Sequence, residues 1–175
     1  YTAFLQHLGV PCADISSSGA YGVYHSVFDN FAWFKKFADP EFLYEQQMAR
    51  IYGIAIVRLA SADVLPFEYE DYGKEVLAYI ETAQKKAEKT FAAKSPSFAE
   101  TTHAARRFMS AGNAIESLQK NHRNADALNR ALRQAERALL LPEGLPTRPW
   151  FRHAVYAPGR YTGYAAVGLP GVNEA

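Results

Sequence analysis

The chain has 175 residues, of which 49% are hydrophobic and 21% charged, with a formal net charge of +1. That length holds one ordinary domain, or a small domain with part of a second, and the composition is that of a soluble globular protein. A charge so close to zero implies neither nucleic acid nor an acidic membrane surface as a partner.

The single cysteine, Cys12, rules out an internal disulfide, and its setting in "VPCADI" reads as a small buried hydrophobe. The longest apolar stretch, "IYGIAIVRLA", is too short to span a bilayer and carries Arg58. No leader pattern is visible. The sequence opens on "YTAFLQHLGVP" without a methionine, so it is expected to be cut from a longer polypeptide.

Taken in chain order, "TAFLQHLG" has helical spacing, with Phe4, Leu5 and Leu8 on one side and Gly9 as a stop. "VPCADI" then reads as a short buried strand, which makes this stretch a helix-turn-strand piece of an α/β domain. Residues 16–31, "SSSGAYGVYHSVFDNF", are rich in Ser, Gly and aromatics and read as a loop. Asp39-Pro40-Glu41 has the chemistry of a helix start: a capping carboxylate, a proline at the first helical position, and an acid at the positive end of the dipole. That helix is expected to run to about Ala62, apolar over a wide arc and buried.

"DVLPFEYEDY" breaks the pattern and marks the expected domain boundary. Three more polar helices follow. The first carries Tyr69, Tyr72, Val76, Tyr79, Ala83 and Ala87 at three- and four-residue steps. The second opens on a capping box at Ser97-Phe98-Ala99-Glu100, with Ala105, Phe108, Ile115 and Leu118 inward. The third carries Ala125, Leu128, Leu132, Ala135 and Leu139, and ends at Pro142 and Gly144. Single apolar stripes on long helices with short links predict an antiparallel bundle. From Leu141 onward the periodicity stops, and five of the nine prolines fall in this tail. A loop of that length in a compact domain is usually functional or ligand-facing.

The residue that could carry chemistry is His25, between Tyr24 and Ser26. An imidazole suits zinc, yet one histidine does not make a site, and local chemistry alone leaves a structural role open as well. No HExxH, CxxC or HxH pair is present, and Asp14 and Asp29 do not form a ligand spacing with His25. Asp29 reads as a loop or cap acceptor, and Arg106-Arg107 and Lys85-Lys86 as bundle surface. Neither a GxSxG elbow, a P-loop nor a dinucleotide fingerprint occurs.

The stretches "FLQHLGVPCADI", "GVYHSVFDNFAWFKKFADPEF", "VLPFEYEDY" and "RPWFRHAVYAPGRYTGYAAVGLPGV" occur in an order that resembles the glutamate carboxypeptidase II-like zinc peptidases, relatives of the transferrin receptor. The resemblance spans essentially the whole chain. It implies that His25, in the YHS motif, is a ligand of a two-zinc site, and that Tyr24 donates to the oxyanion formed as a peptide carbonyl is attacked. It also implies that Tyr164 helps to hold the substrate carboxylate, with Gly163 standing where glutamate-specific members carry lysine. This departure, with the short "ISSSGAYG" loop, weakens the case for acidic substrates. Arg152 and His153 are expected to brace the tail.

The expected fold is therefore mainly α. It is an antiparallel helical bundle of the transferrin-receptor-like dimerisation type, over residues 66–175, preceded by a small α/β remnant of a peptidase domain over residues 1–65. The bundle is expected to be one helix short of the family's. The expected function is the C-terminal segment of a dizinc exopeptidase, supplying one zinc ligand, part of the pocket and a homodimer interface. Its partners would be the upstream peptidase domain and a peptide substrate, with no nucleic acid. By the same resemblance the parent is secreted or membrane-anchored. The remaining ligands would lie upstream of Tyr1, so the chain alone is expected to retain no zinc and to be inactive. The rival reading is a non-catalytic dimerisation module.

Overall fold

In the computed structural model, which describes residues 2–19, 22–121, 124–163 and 165–175, helices dominate and strands are confined to one two-stranded antiparallel sheet. The chain divides into two units, Ala13–Ala62, and Tyr1–Cys12 with Asp63–Ala175.

In the Ala13–Ala62 unit, a short helix α1 (Phe31–Trp33) is capped by Asn30, whose Oδ1 accepts from the Trp33 amide at 3.0 Å. It passes into a wide π-type turn, Phe34–Ala38. Asp39 is 4% exposed, and its carboxylate accepts from the amides of Leu43, Tyr44 and Glu45 at 2.8, 2.9 and 3.1 Å. The cap expected at Asp39 thus forms, but helix α2 (Leu43–Ala60) begins later than Pro40, because Phe42 takes a left-handed conformation (φ 56°) that interrupts the turn. The Phe42 ring lies 6.3 Å from those of both Phe31 and Phe34, with Lys35 Nζ 4.3 Å from its centre.

Two expectations for this half of the chain are overturned. Helix α2 has no buried residue: Ile54, Ile56 and Val57 are 55%, 62% and 64% exposed. "VPCADI" forms no strand, having no neighbour to pair with among the described residues, and Cys12 is exposed with its thiol on the Val10 carbonyl at 3.2 Å. Ile15 is instead fastened by both backbone groups to the Tyr52 hydroxyl, at 3.1 and 2.7 Å.

The other unit is built on α3 (Tyr69–Phe91) and α4 (Ala99–Lys120). They run antiparallel: Asn113 Nδ2 donates to Glu70 Oε2 at 2.7 Å near one end, and Phe98 packs with the Ile80–Ala105 cluster toward the other. Two glycines set how closely they cross. A Cβ at Gly73 would sit 2.7 Å from Met109, and one at Gly112 would collide with the backbone of Tyr69 and Glu70. The capping box expected at Ser97 is reduced to one contact, Ala99 N to Ser97 Oγ at 3.3 Å, with Phe98 in the cap position. Leu118, expected inward, is 54% exposed.

Helix α5 (Ala125–Arg137) is capped by Asn124, which accepts from the Ala127 amide at 3.0 Å. It buries Leu132 and receives the Tyr69 hydroxyl on the Leu132 carbonyl at 2.6 Å. The tail is more regular than a proline-rich loop. After isolated pairings of Leu140 with His153 and Leu145 with Arg148, β1 (Tyr156–Pro158) pairs with β2 (Ala166–Gly168), Ala157 facing Val167. A last turn, α6 (Pro170–Asn173), follows. Val155 and Leu169 from this tail complete the core with Ile80 and Ala105. The N-terminal π-type turn Ala3–His7 buries Gln6 rather than the predicted apolar face. Phe4 and Leu8 are 58% and 57% exposed. The Gln6 carbonyl explains the orientation: it accepts from the tail amides of Arg152 and His153 at 2.9 and 3.2 Å.

Candidate functional site

Local chemistry shapes the turn around His25. The Ser26 amide donates to the Val23 carbonyl at 2.9 Å, and the Asp29 amide to the Ser26 carbonyl at 3.0 Å. Asp29 Oδ2 accepts from the His25 amide at 3.0 Å, the loop bond that its position predicts. His25 itself sits at φ 59°, a left-handed conformation in which a side chain other than glycine's is strained. The result is an imidazole held outward. It is exposed, with its ring centre 3.9 Å from that of Tyr24 at a tilt of 38°, and its ring nitrogens have no hydrogen-bond partner among the described residues. Tyr24 is 58% exposed. Tyr24 and His25, both singled out in the sequence, therefore share one surface.

The donor set for a metal can be tested directly. Zinc takes three or four protein ligands. No group of three His, Cys, Asp or Glu side chains able to hold a metal occurs among the described residues. Asp29, the nearest acid, is already bound to the His25 backbone. The residues present thus do not make a zinc site by themselves; they offer one free imidazole.

Gly163 lies in the other unit, in the turn between β1 and β2, at φ 65°. A Cβ there would meet open space, so the constraint is conformational: a lysine in this turn would be strained. Thr162 closes the turn, accepting from the Gly159 amide at 2.9 Å and donating to the Ala165 carbonyl at 3.0 Å. Tyr164 lies outside the described residues.

A second cluster was not legible as a site. His153 is fully buried, and Nδ1 accepts from the amides of Val155 and Tyr156 at 3.2 and 3.1 Å. With two donors aimed at Nδ1, the ring carries its proton on Nε2 and donates it to Glu136 Oε1 at 2.8 Å. The same oxygen receives the Tyr72 hydroxyl at 3.1 Å. Burial, reinforced by the Glu136 charge, pushes the Tyr69 phenol up to about 12. Tyr72 is raised further by the same two causes, and Tyr156 by burial first and then by its bond with Tyr79. His153 does brace the tail, as expected. Glu136 was missed, although it stands four residues after Leu132 on the apolar stripe itself, where a carboxylate has to find partners.

Comparison with known proteins supplies the family. The chain is 35% identical over 178 residues to "Probable glutamate carboxypeptidase LAMP1" of Arabidopsis thaliana, an alignment covering 100% of this chain and 26% of that protein. It is 32% identical over 189 residues to "Probable glutamate carboxypeptidase" of Arthroderma benhamiae, covering 100% and 25%. It is 28% identical over 173 residues to "Aminopeptidase NAALADL1" of Rattus norvegicus, covering 90% and 23%. The chain thus spans about a quarter of the length of the curated relatives it matches. Residues 81–175, which take in the C-terminal part of α3, all of α4 and α5, and the tail hairpin, match the family model of the transferrin receptor-like dimerisation domain, and the chain belongs to that family.

Proposed function

We propose that the chain is the C-terminal part of a glutamate carboxypeptidase-like zinc peptidase, in which it supplies a dimer interface and one metal ligand. The observation that carries this is His25: a strained, outward-facing imidazole, pinned through its backbone by Asp29 and stacked on Tyr24. Strain of this kind persists where surrounding structure enforces it and is concentrated at functional sites. The exposed arc of α2 supports the same reading, because a wide apolar arc on a helix is one that a larger body covers. The peptidase names of the relatives support the activity class.

In this reading His25 gives one imidazole to a zinc ion whose other ligands lie outside this sequence, and zinc when bound polarises a scissile carbonyl. Tyr24 places a phenol beside His25, where negative charge develops on the substrate. Tyr164 and Gly163 form part of the substrate pocket, with Gly163 removing the cation that an acidic substrate needs. The helical unit forms a homodimer, and the parent protein is secreted or membrane-anchored. The chain alone has no peptidase activity. The test is a zinc-supplemented assay on N-acetylated dipeptides using this polypeptide only, paired with sedimentation over a range of concentration. No turnover with concentration-dependent dimer formation is expected. Turnover by the isolated chain contradicts the missing ligands, and a monomer at all concentrations contradicts the interface.

A further inference from the structure

Glu136 is a buried carboxylate with no Lys or Arg paired to it among the described residues. It is 6% exposed, and its Oε1 accepts from the Tyr72 hydroxyl and from His153. The pairing with His153 resembles an ion pair, but the tautomer argues otherwise: Nδ1 is occupied by two amide donors, so the ring carries one proton and no charge. No Lys or Arg side chain lies within ion-pair distance of Glu136 among the described residues. Buried charges in proteins are as a rule paired, because an unpaired one is costly to hold away from water.

The carboxylate is not sealed in. It lines a cleft of about 310 Å³ together with Pro11, Pro66, Phe67, Glu68, Tyr69 and Tyr72. The walls are aromatic and prolyl, the second acid is the exposed Glu68, and Glu136 Oε2 has no hydrogen-bond partner among the described residues. Phe67 and Tyr69 meet edge to face at 6.3 Å, and Tyr69 and Tyr72 are also 6.3 Å apart. We propose that this cleft binds a primary alkylammonium group, the chemistry shared by a lysine side chain and by small free amines. A metal ion fits it poorly, since no metal-holding group of three side chains exists among the described residues. An ammonium needs only one carboxylate and gains from ring faces, which attract cations. A short alkyl chain behind it matches the apolar walls.

The experiment titrates the full chain with butylammonium chloride at constant ionic strength, following the ring signals of Tyr69 and Tyr72 by NMR, with n-butanol as the neutral isostere. A saturable shift with butylammonium, none with n-butanol, and roughly tenfold or greater weakening in Glu136→Gln are expected. N-acetyl-lysine methylamide separates the sources. Affinity comparable to butylammonium assigns the cleft to a protein side chain, and saturation by butylammonium alone assigns it to free amines. Equal saturation by n-butanol, or a butylammonium response no different from that of sodium, overturns the proposal. Both of these comparisons use the native chain, so they decide the matter even where Glu136→Gln fails to fold.

Discussion

Glu136 Oε1 and His153 Nε2 stand 2.8 Å apart, and through this bond α5 holds the turn that leads into the tail hairpin. His153→Ala removes the donor to a buried carboxylate and also orphans the Val155 and Tyr156 amides. A loss of about 2–3 kcal/mol is expected. Glu136→Gln keeps an acceptor for His153 and Tyr72 and is expected to cost less. Urea unfolding of the two variants checks the order. Equal losses mean that the charge, and not the acceptor, is what the cluster requires.

The buried tyrosines make the chain sensitive to alkali. An unfolded phenol loses its proton near pH 10.0, while Tyr69 in the fold keeps its own up to about pH 12. Above pH 10.0 the unfolded state therefore binds fewer protons than the native state, and stability falls as pH rises. Tyr72 and Tyr156, also raised, act in the same direction. The stability these phenols contribute is expected in full below pH 10.0 and to be lost progressively from there to about pH 12, with the ring signals of Tyr69, Tyr72 and Tyr156 in NMR reporting ionisation only together with loss of helix, while exposed tyrosines such as Tyr24 and Tyr161 ionise earlier. Ionisation of Tyr69, Tyr72 or Tyr156 well before helix loss contradicts the burial of these rings.

Two glycines inside helices are expected to behave in opposite ways. At Gly112 an added methyl meets the backbone of Tyr69 and Glu70, so Gly112→Ala costs about 1–3 kcal/mol through a displaced helix pair. At Gly53, within α2, an added methyl meets nothing, and Gly53→Ala gains about 0.5–1 kcal/mol from helix propensity. Thermal unfolding of each variant reads the sign.

Asp39 holds the entry to α2 through three amide bonds. Asp39→Ala is expected to cost about 1–2 kcal/mol and to fray the first turn. Hydrogen exchange should quicken at Leu43, Tyr44 and Glu45 before the rest of α2. Uniform protection along the helix contradicts the cap.

Helices α3, α4 and α5 were legible because the spacing of Tyr69, Tyr72, Ala83, Ala105 and Leu132 follows the helical period, and period survives without tertiary detail. The tail hairpin was not, since three-residue strands among prolines and glycines carry too few alternations to register. "VPCADI" was misread for the converse reason: an apolar run of strand length carries no information about whether a partner strand exists. His25 stood out by its aromatic neighbours, but its left-handed backbone depends on the Asp29 carboxylate closing the turn, which residue types alone do not disclose. The buried state of Glu136 depends on His153, seventeen residues away in another element.

The most direct measurement of the central claim is hydrolysis of an N-acetylated dipeptide by the longer parent protein carrying His25→Ala, with bound zinc determined on the same sample. With His25 as a metal ligand, turnover falls to background and zinc content drops while the dimer persists. Unchanged turnover at full zinc content contradicts the account and leaves the chain an assembly module.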